Sequence, residues 1–217
     1  MKKETQRNLF FAICLLTAFL LWTLAVRFVD VQAIGPMGST VGFATINRFI
    51  HNLTGVNLHL YNITDWLGLL PLLFVAVFGF IGLIQWIKRK HLLKVDYSIL
   101  VLGGFYIVVM AMYLLFEKVV INYRPVLING FMEASYPSST TMLVMCVIPT
   151  AIMQLNTRIK NNLIRRIVVV ELSVFIMFMV LGRFVSGVHW FTDIIGGALL
   201  SMGLVLLYRA VVNLKVR

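Results

Sequence analysis

The sequence predicts an all-α membrane protein with six transmembrane helices and both termini in the cytoplasm. Hydrophobic residues make up 60% of the 217 residues and charged residues only 12%, which is more apolar surface than a soluble domain can bury. The apolar residues fall into separate runs, and a membrane-spanning helix needs roughly 20 of them. The chain therefore has room for about six spans in a single membrane domain.

The basic residues support this topology and explain the net charge of +11. Most of them fall into four clusters between apolar runs: Lys2, Lys3 and Arg7; Lys88, Arg89, Lys90 and Lys94; Arg158, Lys160, Arg165 and Arg166; Arg209, Lys215 and Arg217. These clusters alternate with loops that nearly lack lysine and arginine, as expected when positive charge stays on the cytoplasmic side. We therefore interpret the positive charge as a consequence of membrane topology and not as a sign of nucleic-acid binding.

The first span is expected at residues 9–26, after the basic N-terminal tip. A cleaved signal peptide is the alternative, but the apolar run is longer than a typical signal core. Residues 27–65 contain few basic residues and are expected outside, partly as interfacial helix. The remaining spans are expected at about residues 66–87, 98–116, 140–155, 167–181 and 190–208.

The two cysteines, Cys14 and Cys146, lie within apolar runs and are interpreted as small core residues. The sequence has no cysteine and histidine pattern typical of a zinc site. We therefore predict no disulfide framework, no metal and no cofactor.

The candidate chemistry lies at the outer ends of the later spans. Three basic residues outside the four clusters, Lys118, Arg124 and Arg183, occur there near several polar residues, namely Ser138, Ser139, His189 and Asp193. Charged groups near hydrocarbon are costly and usually functional. Several cations without matching acids indicate an anionic ligand, and arginine in particular presents planar paired donors that suit phosphate.

The most specific pattern is Arg183, His189 and Asp193. If the last span begins near His189, then His189 and Asp193 lie four residues apart on one helix face. The carboxylate can then fix the imidazole tautomer, and a neutral histidine is a competent nucleophile toward phosphorus. The alternative is an interfacial histidine bonded to an aspartate, with Arg183 extending to the lipid headgroups.

Three segments together resemble the signature motifs of the type-2 phosphatidic acid phosphatase superfamily: KVVINYRP at 118–125, YPSSTT at 136–141 and GRFVSGVHWFTD at 182–193. The superfamily includes integral membrane lipid phosphatases, and the resemblance extends over residues 66–210. It implies a metal-free enzyme in which His189 attacks phosphorus, Asp193 orients it, and Lys118, Arg124, Ser138 and Arg183 bind the phosphate. The last four spans, residues 98–210, are the expected catalytic core.

The first motif departs from the family pattern by one position. Glu117 occupies the position of the family's lysine, and Lys118 lies one residue closer to Arg124. A slip of one residue rotates a helical side chain by about 100°. Lys118 can still reach the site by its length or through a local bulge, and Glu117 either pairs with a motif arginine or faces the headgroups.

The second motif lacks the family's histidine, which protonates the leaving group. The family reads Pro-Ser-Gly-His, whereas this chain reads Pro137-Ser138-Ser139-Thr140. The Ser138 hydroxyl matches the family's phosphate ligand, and the backbone amide of Ser139 can replace that of the glycine. A helix that starts near Thr140 would direct its N-terminus at the anion. A threonine hydroxyl, however, is not a general acid near neutral pH.

Three hypotheses follow from the absence of the second-motif histidine. The enzyme can act on a lipid pyrophosphate, such as undecaprenyl pyrophosphate in a bacterial plasma membrane, because phosphate is a better leaving group than an alkoxide. Another outer residue can supply the proton, and the candidates are His51, His59 and Glu133. Finally, the protein can be a non-hydrolytic lipid-phosphate binding or transport protein, or a phosphoryl transferase. The first two predict hydrolysis of a membrane lipid at the extracytoplasmic face of the bilayer.

Overall fold

The computed structural model describes residues 2–215, and they form eight α-helices. These are α1 Lys2–Phe28, α2 Ala44–Thr54, α3 Leu58–Leu67, α4 Leu70–Arg89, α5 Tyr97–Lys118, α6 Ser139–Arg158, α7 Asn162–Val185 and α8 Phe191–Leu214. Six segments are long and apolar enough to cross a membrane, with α3 and α4 together forming one of them. The predicted all-α fold with six spanning segments is confirmed.

Apart from α4, the spanning helices are longer than the expected spans, because polar and basic residues extend them beyond the apolar runs. α1, for example, begins at Lys2, whereas its span was expected to begin at residue 9. The second expected span began at residue 66, but Trp66 belongs to α3, and α4 begins at Leu70 after a turn at Gly68. Pro71 is tolerated there because the first turn of a helix has no partner for its N–H groups.

The first and last helices of the chain pack along each other in opposite directions. At one end, the Trp22 indole Nε1 of α1 donates to the Thr192 carbonyl of α8 at 3.1 Å. At the other end, Arg209 of α8 forms a 2.8 Å ion pair with Glu4 of α1. Between them, a Cβ on Gly203 would lie 2.8 Å from Cδ2 of Leu16, so the glycine permits this close approach.

The described members of the basic clusters lie at the same end of the bundle as the Glu4–Arg209 pair. There, Arg89 bonds Asp96 at 2.9 Å between α4 and α5, and Gln154 of α6 donates to the Ser98 carbonyl at 3.2 Å. Arg217 lies outside the described residues. The cytoplasmic location of this end stays a prediction from the charge pattern.

The opposite end of the bundle is covered by α2 and α3, which fold over the turn between α7 and α8. Asn47 of α2 donates to the Thr192 hydroxyl at 3.0 Å, and the Asn57 N–H donates to the Ser186 carbonyl at 2.9 Å. Gly187 in this turn has a φ of +66°, and a Cβ there would lie 1.8 Å from the Gly55 carbonyl oxygen. Only glycine fits both the backbone conformation and the contact.

The long connection between α5 and α6 is anchored in this end of the bundle by Tyr136. Its buried ring packs between Phe19 and Phe116, and its hydroxyl lies 2.7 Å from that of Thr23. A Cβ on Gly196 would lie 2.6 Å from the Tyr136 ring, so α8 approaches the connection closely at this point. The residues on either side of Tyr136 are thereby positioned against the start of α8.

Candidate active site

His189 lies in the turn before α8 and is almost completely buried, with 1% of its side chain exposed. Its Nδ1 lies 3.0 Å from the Ser135 hydroxyl oxygen, and that hydroxyl donates to Oδ2 of Asp193 at 2.5 Å. Because the Ser135 hydroxyl proton goes to the carboxylate, Nδ1 of His189 donates its proton to Ser135. The lone pair of the neutral imidazole is therefore on Nε2, which has no hydrogen-bond partner among the described residues.

The expected pairing of His189 with Asp193 occurs, but through Ser135 rather than directly. Nδ1 of His189 and Oδ2 of Asp193 are 3.8 Å apart. The expectation that His189 and Asp193 lie on one face of the same helix was wrong. α8 begins at Phe191, so His189 lies in the preceding turn. Asp193 is held in the first turn of α8, where a negative charge is favourable.

Asp193 accepts three hydrogen bonds in a fully buried position. Besides Ser135, the donors are the Trp190 backbone N–H at 2.9 Å and the Asn122 side chain at 3.3 Å. Burial lowers the pKa of His189 to about 4, and the positive charges of Arg124 and Arg183 act in the same direction, while Asp193 opposes them. The imidazole is therefore neutral near physiological pH, as a nucleophile must be.

Two arginines converge on the ring of Tyr61 in α3. Their guanidinium carbons lie 4.8 Å (Arg183) and 5.6 Å (Arg124) from the ring centroid. Each also has a carboxylate partner. Arg183 bonds Asp65 at 2.6 Å, and Nε of Arg124 lies 3.1 Å from an oxygen of Glu133. The aromatic ring and the acids hold both cations in place.

Several nitrogen atoms of this cluster are buried without a hydrogen-bond partner among residues 2–215. They are Nε and Nη1 of Arg183, Nη1 of Arg124 and Nε2 of His189. Leaving a buried polar group unsatisfied costs about 1–3 kcal/mol, so such groups are rare and need an explanation. Donors from two arginines beside a neutral imidazole indicate a site for an oxyanion such as phosphate.

Ser138 and Ser139 begin the helix that borders this cluster. Ser138 is buried and N-caps α6, with its hydroxyl oxygen 3.5 Å from the Thr141 backbone nitrogen. Its own N–H donates to the Asp193 carbonyl at 3.0 Å, which joins the second and third motifs. α6 begins at Ser139, one residue before the expected start at Thr140. The N-terminus of α6 therefore lies beside the third motif, and its contact with a bound anion stays a prediction.

A cavity of about 430 Å³ extends from this region between α4, α5 and α6. Its polar end is formed by Asp65, Ser139 and Thr140. Most of the remaining wall is apolar, with Leu72, Val109, Leu143 and Val147 among the lining residues. The cavity adjoins the arginine cluster through Asp65, which bonds Arg183. Its shape and lining suit a hydrocarbon chain attached to a polar head.

The sequence model of the PAP2 superfamily matches residues 104–217, which is more than half of the chain. The chain belongs to the PAP2 superfamily. This confirms the resemblance of the three motifs. A search of curated proteins finds no match.

The fold is also similar to that of a solved PAP2 protein. The crystal structure of a transmembrane PAP2-type phosphatidylglycerolphosphate phosphatase from Bacillus subtilis superposes with a TM-score of 0.63. The alignment covers 95% of this chain and 97% of the other at 18% identity, which shows that the two share a fold. Superfamily and fold together support a membrane lipid phosphatase at this coarse level.

Within residues 2–215, two of the predicted site residues of this PAP2 protein make no polar contact with the buried cluster, although Glu117 lines a small pocket together with Ser135 and Ser139. Glu117 and Lys118 are exposed at the end of α5, and in the described part of the chain neither forms a hydrogen bond or an ion pair with it. Glu117 does not pair with Arg124, which instead forms an ion pair with Glu133. Phosphate binding by Lys118 stays a prediction.

The three proton-donor candidates outside the PAP2 motifs differ in position. Glu133 forms an ion pair with Arg124, and His59 is exposed on α3. His51 is half-buried, with its ring 5.4 Å from that of Trp190, and burial lowers its pKa. None of the three is among the residues that line the cavity.

The sequence interpretation assigned no role to four residues that contact the site: Tyr61, Asp65, Ser135 and, within the first motif segment, Asn122. Asp65 had a recognisable signal, because an acid at the start of an expected span is costly and therefore informative. Asn122 and Ser135 had no such signal, since short polar residues are common in loops whatever their role. Only the fold shows that they bond Asp193.

Proposed function

We propose that the protein hydrolyses a lipid phosphate or lipid pyrophosphate through a phosphohistidine formed on His189. The observation that supports this most strongly is the group of buried, unpartnered nitrogen atoms on Arg124, Arg183 and His189. These atoms lie next to the polar end of an apolar cavity. A phosphate headgroup satisfies the donors, and its lipid tail fills the cavity.

The reaction has two displacement steps at phosphorus. In the first, Nε2 of His189 forms a bond to phosphorus as the bond to the leaving oxygen breaks. In the second, water displaces the histidine and releases phosphate. The imidazole becomes positively charged in the first step, and Asp193 compensates this charge through the Ser135 hydroxyl. Such a carboxylate also fixes the tautomer that leaves Nε2 unprotonated.

The phosphoryl oxygens are bound by Arg124, Arg183, the Ser138 hydroxyl and the Ser139 amide. The N-terminus of α6 adds its partial positive charge to these ligands. Lys118, exposed at the rim, is proposed to contact the phosphate as it arrives. All of these residues fall within residues 98–210, the proposed catalytic core.

The active site is proposed to face the outer leaflet, with both termini in the cytoplasm. This end of the bundle is opposite to the one with the basic clusters, which the positive-inside rule assigns to the cytoplasm. In a bacterial plasma membrane, undecaprenyl pyrophosphate is then a candidate substrate. Its leaving group is a phosphate, which departs with less help from a proton donor than an alkoxide does, so Thr140 in the second motif does not prevent its turnover.

Phosphate release by the purified protein in detergent tests this function. The substrates are undecaprenyl pyrophosphate, its monophosphate and phosphatidate, with His189→Ala as the control. We expect release that the substitution abolishes. Rapid quenching with a substrate labelled on its terminal phosphate should also trap an acid-labile phosphohistidine. Release that persists in His189→Ala would contradict the proposed nucleophile.

A non-hydrolytic lipid-phosphate binder or a phosphoryl transferase is the second candidate. It is favoured by the Thr140 hydroxyl on the cavity wall, where the family has an acid, and by the exposed position of Lys118. A binder retains lipid phosphate without forming a covalent adduct. A transferase forms the adduct but releases phosphate only to an added acceptor. The quench experiment therefore separates the binder from the phosphatase, and phosphate release without an added acceptor separates the transferase from it.

A further inference from the structure

The polar end of the apolar cavity contains one carboxyl group, that of Asp65. The other polar side chains on the cavity wall, those of Ser139, Thr140 and two tyrosines, present hydroxyl groups, which are much weaker acids than a carboxyl group. One oxygen of Asp65 bonds Arg183 at 2.6 Å, yet 57% of the Asp65 side chain remains exposed. Asp65 thus combines a contact to the phosphate-binding cluster with a surface open to the cavity.

The substrate's own chemistry places its leaving oxygen at this end of the cavity. In a lipid monophosphate the oxygen that departs from phosphorus is the one that bears the lipid tail, and in the proposed binding mode the tail occupies the apolar part of the cavity. The phosphoryl group lies at Arg183 and His189. The bond that breaks must therefore lie between them, at the cavity end lined by Asp65 and Thr140.

Asp65 is also close to the position of the missing histidine. The Gly68 N–H, one turn after Asp65, donates to the Asp65 carbonyl at 3.0 Å. Gly68 packs against Thr140, because a Cβ on Gly68 would lie 3.6 Å from Cγ2 of Thr140. The end of α3, which carries Asp65, therefore packs against the residue that replaces the second-motif histidine, and both residues line the cavity.

We propose that Asp65 is the general acid of this enzyme and protonates the leaving oxygen in place of the second-motif histidine. This inference rests on the proposed phosphatase function. It assigns the role to a residue of α3, which lies outside all three sequence motifs and before the segment matched by the PAP2 model.

Substrate binding itself provides the proton. In the empty site, Asp65 is an ion-pair partner of Arg183. A phosphate monoester monoanion that binds the remaining donors of Arg183 brings its own proton next to the Asp65 carboxylate. The phosphate and Asp65 then share one proton, which comes from the substrate monoanion or from solvent.

The bonds and protons balance over the two steps. As Nε2 of His189 bonds phosphorus, the bond to the leaving oxygen breaks, and the Asp65 proton moves to that oxygen to give a neutral alcohol. In the second step the Asp65 carboxylate takes a proton from the attacking water. This step regenerates His189 and the Asp65 carboxyl group and releases one inorganic phosphate.

A comparison of leaving groups in Asp65→Asn tests this role. General acid catalysis contributes about 10²–10⁴-fold, and a poor leaving group needs it most. We expect hydrolysis of phosphatidate to fall by about 10²-fold or more. Hydrolysis of p-nitrophenyl phosphate and undecaprenyl pyrophosphate should fall by less than about tenfold, because their leaving groups depart without protonation. Restoring an acid with Thr140→His in the Asp65→Asn background should recover phosphatidate hydrolysis.

Glu133→Gln is the matched control, since Glu133 is the carboxylate on the other arginine but does not line the cavity. It should affect all three substrates alike. Equal losses on all substrates in Asp65→Asn would show that Asp65 only positions Arg183 and would overturn the proposal, as would no loss on phosphatidate. The failure of the phosphatase function itself is distinguishable, because wild type would then release no phosphate or His189→Ala would remain active.

Discussion

Ser135 provides the sharpest test of how His189 and Asp193 work together. Ser135→Ala removes the hydroxyl that receives a hydrogen bond from His189 at 3.0 Å and donates one to Asp193 at 2.5 Å. The remaining gap between Nδ1 and the carboxylate, 3.8 Å, is too long for a hydrogen bond. The imidazole then loses the contact that fixes its tautomer.

The size of the effect follows from the type of bond removed. A hydrogen bond to a charged group contributes about 1.5–3 kcal/mol. The charge on the imidazole develops only as Nε2 attacks, so most of this loss should appear in the transition state. At about 1.4 kcal/mol per factor of ten, kcat should fall by roughly 10- to 150-fold, while KM should change little.

Steady-state kinetics in detergent measure this effect on any substrate that the wild type hydrolyses. Ser135→Thr keeps the hydroxyl and should retain most of the activity. Ser201→Ala is the matched control, because Ser201 is also a buried serine but bonds the Gly197 carbonyl within α8. A kcat for Ser135→Ala within about twofold of wild type would refute the reasoning, since it would show that His189 needs no such partner.

Three further predictions concern the protonation of His189, the roles of Arg124 and Lys118, and the backbone at Gly187. Because burial lowers the pKa of His189 to about 4, kcat/KM corrected for substrate ionisation should stay constant as the pH falls through 6.5 and decline only near pH 4; a decline near 6.5 would contradict this. Arg124→Ala should reduce kcat/KM by more than tenfold, whereas Lys118→Ala should have a smaller effect, mainly on KM, because Lys118 is exposed. Gly187→Ala should lower the thermal unfolding temperature, whereas Gly104→Ala should not, because a Cβ on Gly104 meets no atom within 4 Å.

The membrane topology could be predicted because it depends on properties that are read along the chain. The length of an apolar run determines whether it can span a bilayer, and the basic clusters are visible without knowledge of any contact. His189 and Asp193 were predicted together for the same reason, as they are only four residues apart. The sequence did not show that α8 begins at Phe191 or that Ser135 lies between the two side chains.

The remaining contacts of the site could not be predicted because their partners are distant in the sequence. Asp65 and Arg183 are separated by 118 positions, and Ser135 and Asp193 by 58. The spacing of motifs contains no information about which loop residue fills a gap between two of them. The acid partners of the arginines were missed for the same reason. The sequence suggested cations without matching acids, whereas Asp65 and Glu133 pair with them.

These two ion pairs have a consequence for product release. The charges of Arg124 and Arg183 are balanced by Glu133 and Asp65, and buried Asp193 adds one more negative charge. Free phosphate in solution therefore meets a site with no net positive charge to attract it. A lipid phosphate gains additional binding energy from its tail in the cavity, which inorganic phosphate lacks. In the proposed phosphatase, hydrophobic anchoring would therefore discriminate between substrate and product, and inorganic phosphate should be a weak inhibitor.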